Sequence, residues 1–145
     1  MTRVDFYILS DDTLQACPRC ACRLAEKAYL RGLRVYVHTD SPAQTALVDE
    51  LLWSFRAGSF VPHEALPREN GAEPPPVLVG HQEAPDSHGD VLINLSPDVP
   101  AFFSRFTRVA ELVDAEPERR RQGRERYRFY RERGYELTSH EIDGR

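Results

Sequence analysis

Short apolar runs recur along the chain, and a stretch with helical periodicity separates the first two of them. Residues 4–9 are mostly apolar with β-branched members, which is typical of a buried strand, and ArgValTyrValHisThr at 34–39 predicts a second strand. From about residue 13 to residue 31 the apolar residues recur with a helical period, and Gly32 stands where a helix C-terminus favours glycine. This strand–helix–strand order predicts a parallel crossover and therefore an α/β domain.

The pattern continues to the end of the chain. AspSerPro at 40–42 is typical of a helix start, and the second helix runs to Trp53. The polar, proline-rich residues 64–76 predict a surface loop. The remaining elements are strands at 77–80, 91–95 and 108–113, a short helix at 97–106, a helix from Pro117 to Gly134, and a strand-like tail at 135–142. Together they predict one Rossmann-like α/β domain over residues 1–145, with a mostly parallel sheet flanked by helices and an arginine-rich helix near the C-terminus.

The charge of the chain is unevenly distributed. Residues 119–133 hold eight arginines and two glutamates, which gives this run a net charge of +6. Because the whole chain carries −4 at pH 7, the remainder sums to −10. Such a concentration of one sign of charge favours an interaction surface, although a charged run is also typical of a solvated helix face.

Helical geometry places part of this arginine run on one face. Arg120, Arg124, Tyr127, Arg128 and Arg131 fall within an arc of roughly 100° when each residue advances by 100°. Guanidinium groups around one tyrosine suit a carboxylate-rich partner or phosphates. The alternative is a solvated helix whose arginines only confer solubility.

Composition and motifs favour a binding protein over an enzyme. With 41% hydrophobic and 29% charged residues the chain is typical of a soluble globular protein. It contains no apolar stretch of membrane-spanning length and no signal-peptide pattern at its start, so we expect a cytoplasmic protein without membrane contacts. The turn after the first strand, residues 10–15, lacks glycine and is acidic, which argues against a nucleotide cofactor. No catalytic signature stands out, so we expect neither catalytic residues nor cofactors.

Three cysteines crowd into a short segment of the first predicted helix. Cys17 and Cys20 have the spacing of half a structural zinc site, and Cys22 lies two residues further on. Four ligands would require a histidine from elsewhere in the chain. A thiol redox pair is a second interpretation. We favour a third, in which Cys20 and Cys22 are small helix residues and Cys22 faces the core.

Five segments together resemble the chi subunit family of the bacterial DNA polymerase III holoenzyme. They occupy residues 4–9, 25–37, 52–63, 90–95 and 124–135, in the same order as in the family and at a matching chain length. The segment LeuTrpSerPheArgAlaGlySerPheValProHis at 52–63 is the most specific of them. The CysProArgCys segment departs from the family pattern, so the resemblance implies nothing about the cysteines.

The resemblance implies a non-catalytic adaptor with two protein partners. One partner is the psi subunit of the clamp-loader complex, for which Trp53 and Phe60 would be exposed aromatic anchors; the alternative for Trp53 is an ordinary core position. The other is the acidic C-terminal tail of the single-stranded DNA-binding protein, which ends in a phenylalanine carboxylate. Carried over by position, the tail-binding residues are Val113, Arg120, Arg124, Tyr127, Arg128 and Arg131.

The implied mechanism divides the tail between charged and apolar groups. The arginines would pair with the acids and the terminal carboxylate, while an apolar pocket near Val113 and Tyr127 would accept the phenyl ring. We expect no specific direct contact with DNA. Two alternatives remain: direct binding of single-stranded nucleic acid by the arginine helix, and a zinc or thiol-redox protein built on Cys17, Cys20 and Cys22.

Overall fold

A single parallel sheet organises the computed structural model, which describes residues 1–68 and 71–143. The strands within these residues are β1 (Arg3–Leu9), β2 (Val35–His38), β3 (His63–Ala65), β4 (Val77–Gly80), β5 (Val91–Asn94), β6 (Arg108–Val113) and β7 (Glu136–Ile142). Their order across the sheet is β3-β4-β2-β5-β6-β1-β7, and every neighbouring pair is parallel. The Rossmann-like α/β prediction is confirmed, and the mostly parallel sheet is wholly parallel in the described part of the chain.

Helices cover both faces of the sheet. The helical elements are α1 (Ala16–Leu30), α2 (Pro42–Ser54), α3 (Pro117–Glu132) and a short 3-10 turn (Phe103–Arg105). Successive strand residues point to opposite faces, so the sheet sends side chains into two separate cores. One core packs β2, β4 and β5 against α1 and α2, and the other packs the opposite sheet face against α3 and the 3-10 turn.

Two helices end in the same glycine-dependent motif. Gly32 after α1 has φ +79° and Gly134 after α3 has φ +78°, a left-handed conformation that glycine adopts without strain. The amide of Leu33 donates to the carbonyl of Ala28, and the amide of Tyr135 donates to Tyr130, both at 3.1 Å. The predicted glycine stops are therefore confirmed, and the second of them turns the chain from α3 directly into β7.

Side-chain caps fix two helix starts. At α2 the hydroxyl of Ser41 accepts a hydrogen bond from the amide of Gln44 at 3.1 Å, and Pro42 occupies the first helical turn. At α3 the carboxylate of Glu116 accepts from the amide of Arg119 at 2.8 Å, with Pro117 in the first turn. A carboxylate at this end of a helix also complements the helix dipole.

Two predicted element boundaries are wrong. Residues 64 and 65, predicted as loop, belong to β3, which extends the sheet beyond β4. This strand is short and half-buried, so it carries no apolar run that would reveal it. The helix predicted at 97–106 is reduced to the 3-10 turn Phe103–Arg105. Residues 69 and 70 of the predicted loop lie outside the described residues.

A buried ionic network holds α3 on the sheet. The carboxylate of Glu111 on β6 is fully buried and accepts hydrogen bonds from Arg126 at 2.8 Å and from the Tyr130 hydroxyl at 2.7 Å. The side-chain amide of Asn94 on β5 donates to the same carboxylate at 3.0 Å. Arg126 also donates to the carbonyl of Pro97 at 2.9 Å. The network therefore joins two strands, a loop and α3 at one point.

Removing the cation of this network tests its role. Arg126→Met leaves the Glu111 carboxylate buried without its partner, so we expect the free energy of unfolding in urea to fall by about 3–5 kcal/mol. Burial raises the pKa of Glu111 above its ordinary 4.5, so its ionised form is the costly one in the folded state. The loss should therefore shrink as the pH falls through the raised pKa and the carboxyl takes up a proton.

The matched control removes both charges. Glu111→Leu/Arg126→Met leaves no unpaired ion, and we expect it to lose clearly less stability than Arg126→Met alone. Equal losses for the single and the double variant, with no dependence on pH, would contradict this account.

Candidate functional site

Helix α3 has a buried side and an exposed side, and its arginines are divided between them. Gly123, Arg126 and Tyr130 face the sheet and are buried. Arg124 and Arg128 lie on the exposed side. Arg126 lies on the side of the helix opposite the predicted face and is a structural residue, whereas Arg124, Arg128 and Arg131 of the predicted face are exposed.

The arginines of this segment also differ in their partners. Arg119 pairs with Asp114 at 2.9 Å and Arg121 with Glu118 at 2.7 Å. The guanidinium of Arg133 lies 3.7 Å from the ring centre of Phe129. The guanidinium of Arg120 donates to the carbonyl of Leu9 at 3.1 Å. Only those of Arg124, Arg128 and Arg131 make no hydrogen bond or ion pair with the described part of the chain.

A cavity of about 350 Å³ opens beside this unpartnered group, between α3 and the edge of the sheet formed by β1, β6 and β7. It brings together four of the six predicted tail-binding residues, Val113, Arg120, Arg124 and Tyr127. Arg128 and Arg131 do not line it. They follow Arg124 and Tyr127 by one helical turn each, so they extend the cationic surface away from the cavity along α3.

Apolar side chains form the floor of the cavity. The rings of Phe6 and Tyr127 meet edge to face with their centres 5.2 Å apart. Val113, which is almost fully buried, lies under Gly123, where α3 approaches β6 most closely. The floor therefore suits an aromatic or aliphatic group, while Arg120 and Arg124 suit an anion at its border.

The acidic residue Glu141 of β7 also lines the cavity. A neighbouring cavity of about 530 Å³ shares Ile8, Arg120 and Glu141 with it, so the two form one extended depression along the carboxyl ends of β1 and β7. A ligand with closely spaced negative charges must place them toward the arginines and away from Glu141. The depression can therefore bind an apolar group and orient the charges next to it.

A second candidate surface lies at the end of α2. Trp53 and Phe60 are 60% and 61% exposed, and their ring centres lie 6.0 Å apart. The ring of His63 packs edge-on against the ring of Trp53, with their centres 4.7 Å apart, and restricts the position of Trp53. Trp53 is therefore not a core residue, and the two aromatic rings form one exposed apolar pair on the sheet face opposite α3.

The cysteines pack as residues of α1. Cys20 and Cys22 are buried in the core between α1 and the sheet, as expected for Cys22, and Cys17 is partly buried. Burial raises the pKa of the Cys17 and Cys22 thiols to about 12 and also raises that of Cys20. Within residues 1–68 and 71–143, no group of three or more histidine, cysteine or acidic side chains is arranged to hold a metal ion.

The crevice at the carboxyl ends of the central strands is where Rossmann-like proteins commonly bind nucleotides. Here it forms a cavity of about 310 Å³ that contains Asp114, Arg119 and Arg126. Both arginines are already paired, Arg119 with Asp114 and Arg126 with Glu111. The crevice therefore offers no unpaired arginine to a phosphate among its described lining residues, in contrast to the outer face of α3.

Fold and surfaces together define a Rossmann-like α/β protein with a cationic surface and an exposed aromatic pair on opposite faces of its sheet. Among the described residues, no helix is both long enough and apolar enough to cross a bilayer. The profile of the family described as DNA polymerase III chi subunit, HolC, matches residues 1–138. The chain belongs to this family and is thus a component of DNA replication, as the resemblance predicted.

Individual relatives agree with this assignment. The chain is 47% identical over 142 residues to DNA polymerase III subunit chi of Pseudomonas aeruginosa, covering 98% of both chains. It is 32% identical over 143 residues to the subunit chi of Escherichia coli strain K12, covering 96% of this chain and 97% of the relative. The crystal structure of T4 UvsW matches with a TM-score of 0.70 at 8% identity, over 98% of this chain and 42% of that one, which shows a shared fold alone.

Several residues of the cavity were not predicted from the sequence. Phe6 and Glu141 come from β1 and β7, far from the arginine run in sequence, and no local pattern connects them to it. Gly123 did carry a signal, because a glycine inside a helix often marks a close approach of another element. A Cβ atom at this position would lie 2.7 Å from Cγ2 and 2.8 Å from Cγ1 of Val113.

The close approach at Gly123 gives a test of the cavity floor. Gly123→Ala forces α3 away from β6, so we expect a loss of about 1–3 kcal/mol in the free energy of unfolding. Val113→Ala makes room for the new methyl group. Adding Gly123→Ala to the Val113→Ala variant should therefore cost less stability than adding it to the wild type. If Gly123→Ala instead stabilises the protein by about 1 kcal/mol, as helix propensity alone would predict, the close contact is not a constraint.

Proposed function

We propose that this protein is a non-catalytic replication adaptor. It links the clamp-loader complex of DNA polymerase III, through a psi subunit, to the acidic C-terminal tail of the single-stranded DNA-binding protein. The whole chain acts as one α/β unit in this function, with the tail on α3 and psi on the Trp53 surface. The observation that carries the proposal is the row of unpartnered guanidiniums beside an apolar cavity.

The selective pairing of arginines supports the tail contact. Arg119, Arg121 and Arg126 have their carboxylate partners within this chain, whereas Arg124, Arg128 and Arg131 have none among the described residues. A carboxylate-rich peptide supplies the missing partners through charge-assisted hydrogen bonds. A merely solvated helix gives no reason for the arginines that find no partner among the described residues to share one face of α3, which starts at the cavity and leads away from it.

The cavity fits the end of the tail. A terminal phenylalanine places an aromatic ring and a carboxylate on one residue, and the cavity places an aromatic floor beside cations in the same way. The ring would pack on Phe6, Val113 and Tyr127, and the terminal carboxylate would bind Arg120 and Arg124. The acids that precede the phenylalanine would then follow α3 toward Arg128 and Arg131.

The location of Trp53 and Phe60 supports a separate psi contact. Large exposed aromatic side chains are typical anchors of protein interfaces. Because α2 and α3 lie on opposite faces of the sheet, a partner on the aromatic pair leaves the arginine face free. This arrangement allows the adaptor to bind both partners at once.

The tail contact is tested by calorimetric titration with an acidic peptide that ends in phenylalanine. We expect Arg128→Ala to weaken binding by about 1.5–3 kcal/mol, the value of a lost hydrogen bond to a charged group. Arg121→Ala removes the same charge from a paired arginine on the same helix and should change affinity less than about twofold. Deleting the terminal phenylalanine should abolish saturable binding.

Two outcomes would contradict the tail contact. If Arg121→Ala and Arg128→Ala weaken the peptide equally, the helix attracts it by net charge alone. If the wild-type protein does not bind the peptide at low salt, the arginine face has another ligand.

The psi contact is tested by coexpression with a psi subunit from the same organism and measurement of the dissociation constant. We expect Trp53→Ala to weaken the complex by about 2 kcal/mol or more while the protein remains folded and binds the tail peptide normally. The control is Leu14→Ala, which removes another apolar side chain, one that is 78% exposed in the wild type. It should leave psi binding unchanged. An unchanged psi complex in Trp53→Ala would exclude this surface.

A further inference from the structure

Helix α1 carries a second row of cations on the sheet face opposite α3. Arg19, Arg23 and Lys27 of α1, and Arg31 directly after its last residue, are four residues apart and exposed, so they follow one side of the helix at intervals of about 6 Å. Arg19 contacts Gln15, and none of the four makes an ion pair with the described part of the chain. The one acid of α1, Glu26, is paired with Arg56 instead.

The sheet beside this row is left partly uncovered. Helix α1 packs over β2, β5 and β6, and on its side of the sheet the edge strand β7 forms a partly exposed ledge next to the half-buried Tyr7 of β1. A cleft of about 110 Å³ runs along the corner between helix and ledge. Lys27 and Arg31 border it from α1, Tyr7 from β1 and Arg108 from β6. We call this corner the α1 groove.

An aromatic ring pair borders the α1 groove, with Tyr7 lining the cleft and His140 beside it on β7. The rings of Tyr7 and His140 are stacked with their centres 4.8 Å apart and an angle of 17° between their planes. Both side chains are partly exposed. A flat, accessible ring pair of this kind can stack with a third planar ring, such as a nucleic-acid base.

The acids of the α1 groove are already neutralised. Asp5 is contacted by Arg108 at 3.2 Å and by His140 at 3.0 Å, and Glu136 pairs with Arg3 at 3.3 Å. The cations that line the cleft are Lys27, Arg31 and Arg108, which against Asp5 give a net charge of +2, and Arg19 and Arg23 extend the row of cations along α1. The groove is therefore cationic, although the chain as a whole carries −4.

We propose that the α1 groove binds single-stranded DNA through its phosphates, without sequence preference. Regularly spaced cations beside a stacking platform suit a strand whose bases are exposed, whereas in a duplex the bases are stacked inside and cannot reach Tyr7. An acidic polypeptide would use the cations but leave the ring pair without a role. This contact is separate from the tail contact and lies on the opposite face of the sheet, so the two can coexist.

Fluorescence anisotropy with a labelled 20-nucleotide oligo-dT tests the proposal on the full chain. If the four α1 cations each neutralise one phosphate, affinity should fall about 50-fold between 50 and 200 mM salt. Arg23→Ala/Lys27→Ala should weaken binding about tenfold or more at 50 mM salt and halve the salt dependence on a logarithmic scale. Tyr7→Leu should weaken binding about fivefold or more and leave the salt dependence unchanged.

The matched control is Arg128→Ala/Arg131→Ala, which removes the same charge from α3 and should leave oligo-dT affinity nearly unchanged. All the arginine and lysine positions are exposed, and circular dichroism checks that each variant is folded. The proposal is overturned if oligo-dT does not bind at 50 mM salt, or if the α3 pair weakens binding as much as the α1 pair. Displacement of the oligonucleotide by polyglutamate at equal charge concentration would assign the groove to an acidic protein instead.

Discussion

The carboxylate of Glu111 is the point on which the rest of this structure depends. It is buried in the middle of the sheet and takes hydrogen bonds from Asn94, Arg126 and Tyr130. A buried ion is costly unless its donors are held in place, so this group tolerates only one rotation and one axial position of α3. By seating Arg126 and Tyr130 inward, it determines which arginines of the same helix face outward.

The role of each arginine in this chain depends on whether it has a carboxylate partner, and not only on its position. Arg119 and Arg126, which have carboxylate partners, stabilise the fold, and the arginines that find no carboxylate among the described residues lie on two surfaces, one on α3 and one on α1. The sheet lies between these surfaces and gives each a different neighbour, an apolar cavity on one face and an aromatic ledge on the other. Under our proposals, the acidic peptide, the protein partner and the nucleic-acid strand would each bind a separate site on one small α/β fold.

Much of the fold could be predicted, because glycine stops, proline-capped helices and apolar strands leave local signals. The strand β3 could not, since its three half-buried residues gain their strand conformation only from pairing with β4. The arginine face was predicted from helical periodicity, but periodicity does not show that Arg120 is partly held by the Leu9 carbonyl or that Arg126 is buried. Phe6 and Glu141 join the cavity only through the β1–β7 pairing, which brings distant parts of the chain together.

The central claim is that the outer face of α3 and its cavity bind an acidic, phenylalanine-terminated tail. A titration of isotope-labelled protein with that peptide, followed by the backbone amide resonances in NMR spectra, tests it residue by residue. The account predicts that the largest shifts cluster around Val113, Gly123 and Tyr127 and along the outer side of α3, with the Trp53 surface and α1 unaffected. Shifts that cluster at Trp53 and Phe60 or along α1, with α3 unchanged, would contradict it.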